Sequence, residues 1–349
     1  MTSRERMVKA IKGERPDRLP VSPWGFGVVD LESDLGRELV AACDMWLPAG
    51  GGGFSFFGAR LERETVVEEG QTTTIFHTPG GDLTARRRST DQTSAQVEFP
   101  CKGPDDVARL LAVPYEPTPL DLTRYFEMNR KYGEEGLVCL ECPNAVCWPA
   151  ETLSPEDFCL LWADHPELMI EMVRVASARL NDFIEKACRA GVDCFRIIGG
   201  EYVTVQLGPR AVESLLEPFD SEQIAIMHRH GAIAHYHNHG PMMRYLEPLA
   251  ALGMDSMDPF EAPPWGDCDL GEAARRLAGR VCIVGNLDDM EVVDKLPADR
   301  VLALARERVR QVGEAPFILS GTASGRFGPR AARNFIALAE AAAAQPMGL

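Results

Sequence analysis

The sequence predicts an α/β fold in which eight parallel strands close into a (β/α)8 barrel, with an antiparallel β-meander inserted early. From Pro114 onward, short apolar runs alternate with helical stretches, the pattern of a parallel sheet covered by helices. Between about 62 and 100, β-prone segments are separated by turn residues. A length of 349 residues suits a single barrel domain over 1–349 with such an insertion.

The N-terminal segment supplies the first helices and strands. Residues 3–13 have an N-cap candidate, amphipathic spacing and a terminal glycine, which predict a short helix. A first strand is expected at Leu19–Pro23, a helix near Asp34–Ala42 and a second strand near Phe54. The glycine run Gly50–Gly53 lacks the G-K-[ST] ending of a phosphate loop, so we do not interpret it as a nucleotide site.

The insertion has four β-prone segments joined by glycine, proline and polar turn residues. Its arginine triplet, Arg86–Arg88, is interpreted as a solvated strand edge and not as an anion site. The four segments are Thr65–Val67, Thr72–Phe76, Leu83–Arg86 and Ala95–Phe99.

The remainder of the chain repeats a strand followed by a helix. With the two early strands the predicted total is eight, the number in a TIM barrel. The later strands are Leu137–Cys142, Val192–Ile198, Ala232–His237, Met254–Asp258, Val281–Gly285 and Pro316–Ser320. The helices are Pro155–Arg189 (broken near His165-Pro166), Pro209–His230, Met242–Leu252, Leu270–Leu277, Ala298–Val312 and Arg330–Ala344.

Composition excludes several classes of protein. Hydrophobic content of 45% and charged content of 25% are those of a globular protein with a sizeable core. A net charge of −16 argues against nucleic acid or an anionic membrane as a partner, since both would repel the chain. There is no apolar run long enough for a membrane span and no secretory signal, so we expect a cytoplasmic protein whose ten cysteines are reduced thiols.

Histidines are concentrated in one short stretch. Of seven in the chain, five lie between His228 and His239. In a strand, alternate residues point to the same side, so His235, His237 and His239 would share one face. Imidazole is the commonest metal ligand, and an H-x-H pair at a strand end can hold one ion. A polar strand end with hydrogen-bonded histidines is the alternative.

Polar and aromatic side chains follow strand after strand at the predicted C-terminal ends, where barrels of this class place their active sites. Because those ends meet at one mouth, carboxylates and imidazoles from successive strands should converge there. The residues are Trp24 and Phe26; Glu141, Asn144 and Trp148; Glu201 and Tyr202; His237 and His239; Asp258, Phe260 and Glu261; Asn286 and Asp288; Ser320 and Thr322.

Six short motifs occur in order along the chain: Arg4–Val21, Gly208-Pro-Arg210, Glu217-Pro-Phe219, His237-Asn-His-Gly240, Val281–Asn286 and Phe317–Ser320. Together they resemble the uroporphyrinogen decarboxylase superfamily, most closely its branch of cobamide-dependent methyltransferases. The resemblance covers nearly the whole chain, and the early meander is similar to that branch too.

Two departures from the family pattern narrow the expected reaction and the expected set of zinc ligands. True uroporphyrinogen decarboxylases have an arginine-rich loop after the first strand, whereas Ser22–Asp30 has no arginine, which argues against porphyrinogen decarboxylation. Thiol-methylating members bind zinc through H-x-C and a later cysteine. Here the H-x-C cysteine is replaced by His239, and Gly321–Gly325 contains no cysteine.

The resemblance implies a zinc site made of Glu201, His237 and His239, with Glu217 in reserve. Because the cysteine thiolate ligands of the thiol-methylating members are absent, the bound zinc would be a harder Lewis acid, which is suited to polarising an ether oxygen. His235 is interpreted as a hydrogen-bonded core residue.

Supporting roles are expected for the other residues at the mouth. Asp258 and Asn286 are the catalytic candidates: Asp258 would orient a histidine, and Asn286 would either hydrogen-bond the substrate or cap a turn. Substrate binding is assigned to Trp24, Phe26, Asn144, Tyr202 and Phe260, with simple packing as the alternative for the four aromatic residues.

The function that these expectations favour is a zinc-dependent methyltransferase moving a methyl group from a small O-methyl donor, such as an aryl methyl ether, to a corrinoid. The chain has no D-x-H-x-x-G motif, so the corrinoid (cobalamin) would arrive on a partner protein. Two alternatives stay open: a metal-independent decarboxylase or lyase, and a non-catalytic barrel that has lost its metal. Homo-oligomer formation is also left open.

Overall fold

The computed structural model describes residues 1–91, 93–322 and 327–345 and contains two sheets, one of eight strands and one of four. The barrel strands are β1 and β2, followed after the insertion by β7 to β12; the insertion contains β3 to β6. Their bounds are β1 Val21–Ser22, β2 Met45–Pro48, β3 Arg63–Glu68, β4 Gln71–Phe76, β5 Leu83–Ser89, β6 Ser94–Glu98, β7 Gly136–Pro143, β8 Cys194–Ile198, β9 Ile233–His237, β10 Ser256–Asp258, β11 Cys282–Leu287 and β12 Phe317–Gly321.

The larger sheet runs β1-β12-β11-β10-β9-β8-β7-β2, and every neighbouring pair is parallel. A parallel bridge between Trp24 and Trp46 joins its two ends. Gly25 N–H donates to the Trp46 carbonyl at 2.8 Å, and Asp44 N–H donates to the Val21 carbonyl at 2.9 Å. These contacts close the circle, so the predicted TIM barrel with an inserted β-meander is confirmed.

The prediction of a second strand near Phe54 is wrong. The second strand is β2, whose Met45, Trp46 and Leu47 are buried and pair with β7. Phe54 lies in the following loop, where Gly50, Gly52 and Gly53 take positive φ values that turn the chain. Its ring instead packs against those of Phe56 and Phe183.

Fourteen α-helices lie within the described ranges, and none of them is long and apolar enough to cross a membrane. They are α1 Ser3–Ile11, α2 Asp34–Ala42, α3 Pro104–Leu111, α4 Thr123–Tyr132, α5 Cys147–Thr152, α6 Pro155–Asp164, α7 Pro166–Arg189, α8 Glu201–Thr204, α9 Pro209–Ala211, α10 Glu217–Arg229, α11 Leu246–Ala251, α12 Leu270–Leu277, α13 Ala298–Val312 and α14 Pro329–Ala344. A π-helical segment joins α9 to α10, another follows β11, and a 3-10 turn precedes α11; they span Val212–Leu216, Asp289–Val293 and Met243–Tyr245.

The barrel interior is apolar near its N-terminal end and polar near its C-terminal end. One buried cluster joins alternate strand residues, among them Cys139, Cys194 and Ile233, to Met7 and Ile11 of α1. Helix α1 therefore plugs the N-terminal opening. Two residues further along these strands stand Glu141, Arg196 and His235. The polar side chains of the interior therefore lie toward the opposite, C-terminal mouth.

The inserted sheet packs on the barrel at one end only. Phe76, Leu83 and Ala85 are buried, whereas all residues of β3 are exposed. Arg86 forms an ion pair with Glu98 at 3.0 Å and is half exposed. The far end of the sheet is solvated.

Asp44, which immediately precedes β2 and is fully buried, links the segments that meet where the barrel closes. Its carboxylate accepts hydrogen bonds from Arg6 at 2.5 Å, from Arg18 at 2.7 Å and from the Val21 N–H at 3.0 Å. Residues from α1, the following loop and β1 thus meet on one carboxylate. Asp17 binds Arg6 as well, but it is largely in solvent.

We expect Asp44→Ala to lower the free energy of unfolding by about 3–5 kcal/mol, because the buried carboxylate that neutralises the buried Arg6 and the partly buried Arg18 would be lost. Asp17→Ala is the matched control and should cost about 1 kcal/mol or less, since Asp17 itself is exposed and Arg6 would keep Asp44. Urea denaturation of both variants measures the difference. Equal losses would show that Asp44 has no special role in closure.

Candidate functional site

The polar mouth of the barrel is organised by the Asp258 carboxylate at the end of β10. Its Oδ1 lies 2.8 Å from His235 Nε2 and 2.8 Å from His237 Nδ1. Register explains the contact, because Asp258 pairs with His237 and Ser256 pairs with His235 across the two parallel strands. Ser256 Oγ lies 2.9 Å from His235 Nδ1. Both nitrogens of His235 are therefore used inside the protein.

Burial sets the ionisation of this cluster. It lowers the pKa of His237 to about 4 and also lowers the pKa of His235, despite the nearby carboxylate. Burial acts to raise the pKa of Asp258, but the contacts with the two imidazoles outweigh it and hold the pKa well below its usual range. At neutral pH the cluster holds an ionised carboxylate between neutral imidazoles.

Arg196 supplies the compensating positive charge, and it was not among the site residues predicted from the sequence. It stands at an inward position of β8, with Nη1 3.2 Å from Glu141 Oε1 and Nη2 4.0 Å from Asp258 Oδ2. Its guanidinium carbon lies 4.2 Å from the centre of the Trp24 ring. A lone arginine within an otherwise apolar strand was the signal available in the sequence, because such a buried charge needs a partner.

His239 lies just beyond β9 and has its own carboxylate. Its Nδ1 is 3.0 Å from Glu261 Oε1, and Glu261 Oε2 accepts a hydrogen bond from the Gly240 N–H at 2.8 Å. The hydrogen bond with Glu261 raises the pKa of His239. The rings of His237 and His239 meet edge to face with centroids 4.4 Å apart. Each ring uses Nδ1 for a carboxylate, so Nε2 is the atom left to meet a bound ion or substrate.

Glu201 begins the short helix α8 after the turn Gly199-Gly200. A Cβ on Gly199 would lie 2.4 Å from Cys147 Sγ and 2.5 Å from Asn144 Oδ1, so the turn can approach β7 only as glycine. Burial raises the pKa of Glu201, and its Oε2 is buried with no hydrogen-bond partner among the described residues. Glu217 begins α10 and is partly exposed.

The predicted zinc ligands are Glu201, His237 and His239, and their chemistry and positions can now be examined together. Two imidazoles oriented by carboxylates and one unpartnered carboxylate oxygen are a donor set that zinc accepts. Within 1–91, 93–322 and 327–345, however, no three His, Cys, Asp or Glu side chains lie close enough together to hold a metal ion. The chemical types of these side chains therefore fit zinc, but Glu201, His237 and His239 are not positioned close enough together to form a metal site.

The residues assigned to substrate binding have different locations. Trp24 stacks on His235 with ring centroids 5.8 Å apart and covers Arg196, so it belongs to the mouth. Phe26 lies against Tyr132 in the wall outside β1 and β2, with centroids 6.2 Å apart. Tyr202 is partly buried next to Glu201.

Phe260 and Asn286 are joined to each other by a hydrogen bond. Phe260 is fully buried with a positive φ of 54°. Its carbonyl accepts a hydrogen bond from Asn286 Nδ2 at 3.0 Å. The Asn286 side chain lines clefts between β11 and α13. Phe260 is therefore enclosed, whereas Asn286 lines a cleft that also includes Glu261, the partner of His239.

Asn144 belongs to a polar network outside the barrel. Asp220 of α10 is fully buried, and its Oδ2 accepts hydrogen bonds from Tyr236 Oη at 2.6 Å and Asn144 Nδ2 at 3.0 Å. Asp220 Oδ1 has no hydrogen-bond partner in the described part of the chain. Burial raises the pKa of Asp220 to about 7. The network ties α10 to β7 and β9 just behind the mouth.

Comparison with known proteins shows that the chain is similar in fold to solved structures. No protein-family model and no curated protein matches the chain. A solved methyltransferase from Methanosarcina mazei is similar over 98% of this chain and 99% of that one, with 14% identity and a TM-score of 0.63. A B12-independent methionine synthase from Shewanella sp. W3-18-1 is similar over 94% of this chain and 98% of that one, with 12% identity and a TM-score of 0.50.

We expect Asp220→Asn to remove a pH dependence of stability. The folded pKa of Asp220 lies above its unfolded value of about 3.9, so its contribution is complete below about pH 4 and is lost as the pH rises through about 7. Relative to the variant, the wild type should lose up to about 1.4 kcal/mol per pH unit across that window. Denaturant unfolding from pH 4 to 8 measures it, and a constant difference would contradict the assignment.

Proposed function

We propose that the protein is a methyltransferase that takes a methyl group from an O-methyl substrate, such as an aryl methyl ether, and transfers it to a corrinoid on a partner protein. The observation that carries the proposal is the pair His237 and His239 at the barrel mouth. Each imidazole is held by a separate carboxylate, Asp258 or Glu261. Such carboxylate–histidine pairs are the usual support of catalytic metal ligands.

The likeness in fold supports methyl transfer. The two similar structures are named as a methyltransferase and a methionine synthase, and each is matched over nearly its whole length. The sequence motifs given above resemble the cobamide-dependent branch of the uroporphyrinogen decarboxylase superfamily, which favours a corrinoid acceptor.

Zinc is the metal that we propose for Glu201, His237 and His239. When bound, it would act as a Lewis acid on the oxygen that the methyl group leaves. Neutral imidazole is the form that binds metal, and burial keeps His237 in that form at neutral pH. The buried Glu201 Oε2 gains a partner in this arrangement.

The surrounding residues orient the ligands and exclude water. Asp258 fixes the ring of His237, and Arg196 balances the charge of that carboxylate from 4.0 Å. Trp24 and Trp46 pack against His235 with ring centroids 5.8 Å and 4.2 Å away. These buried rings shield His235 from solvent.

We expect the purified protein to bind close to one zinc ion per chain and His237→Ala to lose it, because an imidazole ligand is removed. Asp258→Asn should weaken zinc binding roughly 10–100-fold. His228→Ala is the matched control, since His228 lies at the far end of α10 and contacts Asp255. Metal analysis and zinc titration measure these effects. A folded wild-type protein that binds no zinc when zinc is supplied would refute the metal site.

We also expect the zinc-loaded protein to methylate reduced cobalamin when an aryl methyl ether is added. The product is followed by the absorbance change of cobalt(I) on methylation. His237→Ala should abolish this activity, and His228→Ala should retain it. Release of carbon dioxide from a carboxylated substrate without methyl transfer would instead indicate a decarboxylase on the same barrel.

A further inference from the structure

The glycine turn that follows β8, Gly199-Gly200, fits closely against the side of β9 that is opposite the histidines. A Cβ atom on Gly200 would lie 2.5 Å from Asn238 Oδ1 and 2.7 Å from Tyr236 Oη, closer than such an atom can approach either group. A Cβ atom on Gly199 would lie 2.5 Å from Asn144 Oδ1, just after β7. The position of the turn is therefore set by the polar side chains around it.

The glycine turn carries Glu201, the first residue of α8, to the mouth. The amides of residues 202–204 donate to carbonyls of the turn at 3.0–3.2 Å, so the helix starts directly from the turn. Thr204 Oγ1 donates to Asn238 Oδ1 at 3.3 Å, which also joins α8 to the end of β9. A displacement of the turn would therefore displace the Glu201 side chain as well.

Two of the side chains that contact the glycine turn are held by Asp220 of α10. Its Oδ2 accepts from Tyr236 Oη at 2.6 Å and from Asn144 Nδ2 at 3.0 Å. Tyr236 belongs to β9 and Asn144 follows β7, so one oxygen links the two strands on either side of β8. All three side chains are shielded from water, and loss of the carboxylate would leave both donors without this acceptor.

We propose that Asp220 is a positioning residue that sets where the Glu201 carboxylate lies at the mouth. It acts through Tyr236 and Asn144, which it holds against the glycine turn from the two neighbouring strands. The Asp220 carboxylate lies on the outer side of the sheet, so its role is indirect. What Glu201 binds rests on the proposed function, whereas its placement by Asp220 does not.

Hydrogen–deuterium exchange of the purified protein tests this placement without any ligand. Asp220→Ala removes the acceptor of both bonds, so peptides that span 199–205 should exchange roughly tenfold faster, the consequence of losing buried hydrogen bonds. Asp220→Asn retains a carbonyl oxygen that can accept both bonds, and its exchange in these peptides should stay close to that of the wild type. Glu222→Ala, at an exposed position on the same helix, is the matched control.

A second variant and a second region separate positioning from general stability. Tyr236→Phe deletes only the hydroxyl group and should also speed exchange at 199–205, which keeps the test decisive if Asp220→Ala does not fold. Peptides of helix α12 should exchange at the wild-type rate in every variant. Equal acceleration at 199–205 and in α12 would overturn the proposal, because Asp220 would then stabilise only the fold as a whole. Unchanged exchange at 199–205 in Tyr236→Phe would overturn it too, as would exchange in Asp220→Asn as fast as in Asp220→Ala.

Zinc titration adds a readout at Glu201 itself. If the proposed metal site is correct, Asp220→Ala should weaken zinc binding about tenfold in the wild-type background and little in a Glu201→Gln background, because the displaced ligand is already lost there. Glu222→Ala should leave zinc binding unchanged. Equal weakening in both backgrounds would contradict placement of Glu201 by Asp220. A wild-type protein that binds no zinc would refute the metal site alone, and the exchange rates at 199–205 would then decide the proposal.

Discussion

Two parallel strands in fixed register create the central interaction of this protein, the Asp258 carboxylate between His235 and His237. Strand β10 has only three residues, and its first and third meet the two histidines of β9. A shift of one residue would turn Asp258 to the other face of the sheet and leave both imidazoles without it. The geometry of the mouth therefore depends on the hydrogen bonding of the barrel.

Charge balance inside the barrel follows from that contact. A buried carboxylate is costly unless it is paired, and Arg196 provides the pairing from the neighbouring strand β8. Arg196 is in turn covered by Trp24 and bound by Glu141. Trp24 also bridges to Trp46 where the barrel closes, so the polar mouth and barrel closure share a residue.

The residues behind the mouth have a different physical role. Asp220, Asn144 and Tyr236 form a buried network on the outer side of the sheet, where the glycine turn before Glu201 packs closely. The clefts that Asn286 lines lie between β11 and α13. Residues at the ends of neighbouring strands therefore lie in different environments: the histidine cluster inside the barrel, the Asp220 network behind it, and the clefts beside β11.

The sequence by itself determined the barrel, the inserted meander and the position of most helices. Hydrophobic periodicity is a local property, and helices such as Leu270–Leu277 and Ala298–Val312 begin and end where it predicted. It also located the polar residues at strand ends, because a parallel barrel must bring those ends to one mouth. The second strand was misplaced, since the aromatic run at Phe54 resembles a strand but follows glycines that turn the chain.

Only the tertiary structure decided which polar residues meet. Register between β9 and β10 assigned Asp258 to two histidines, and long-range pairing identified Arg196 as its counter-charge. Long-range contacts also placed Asn144 in the buried network with Asp220, although it follows a barrel strand in sequence. These outcomes depend on contacts between residues far apart in the chain. A local pattern can indicate that a buried charge such as Arg196 needs a partner, but it does not specify which residue that partner is.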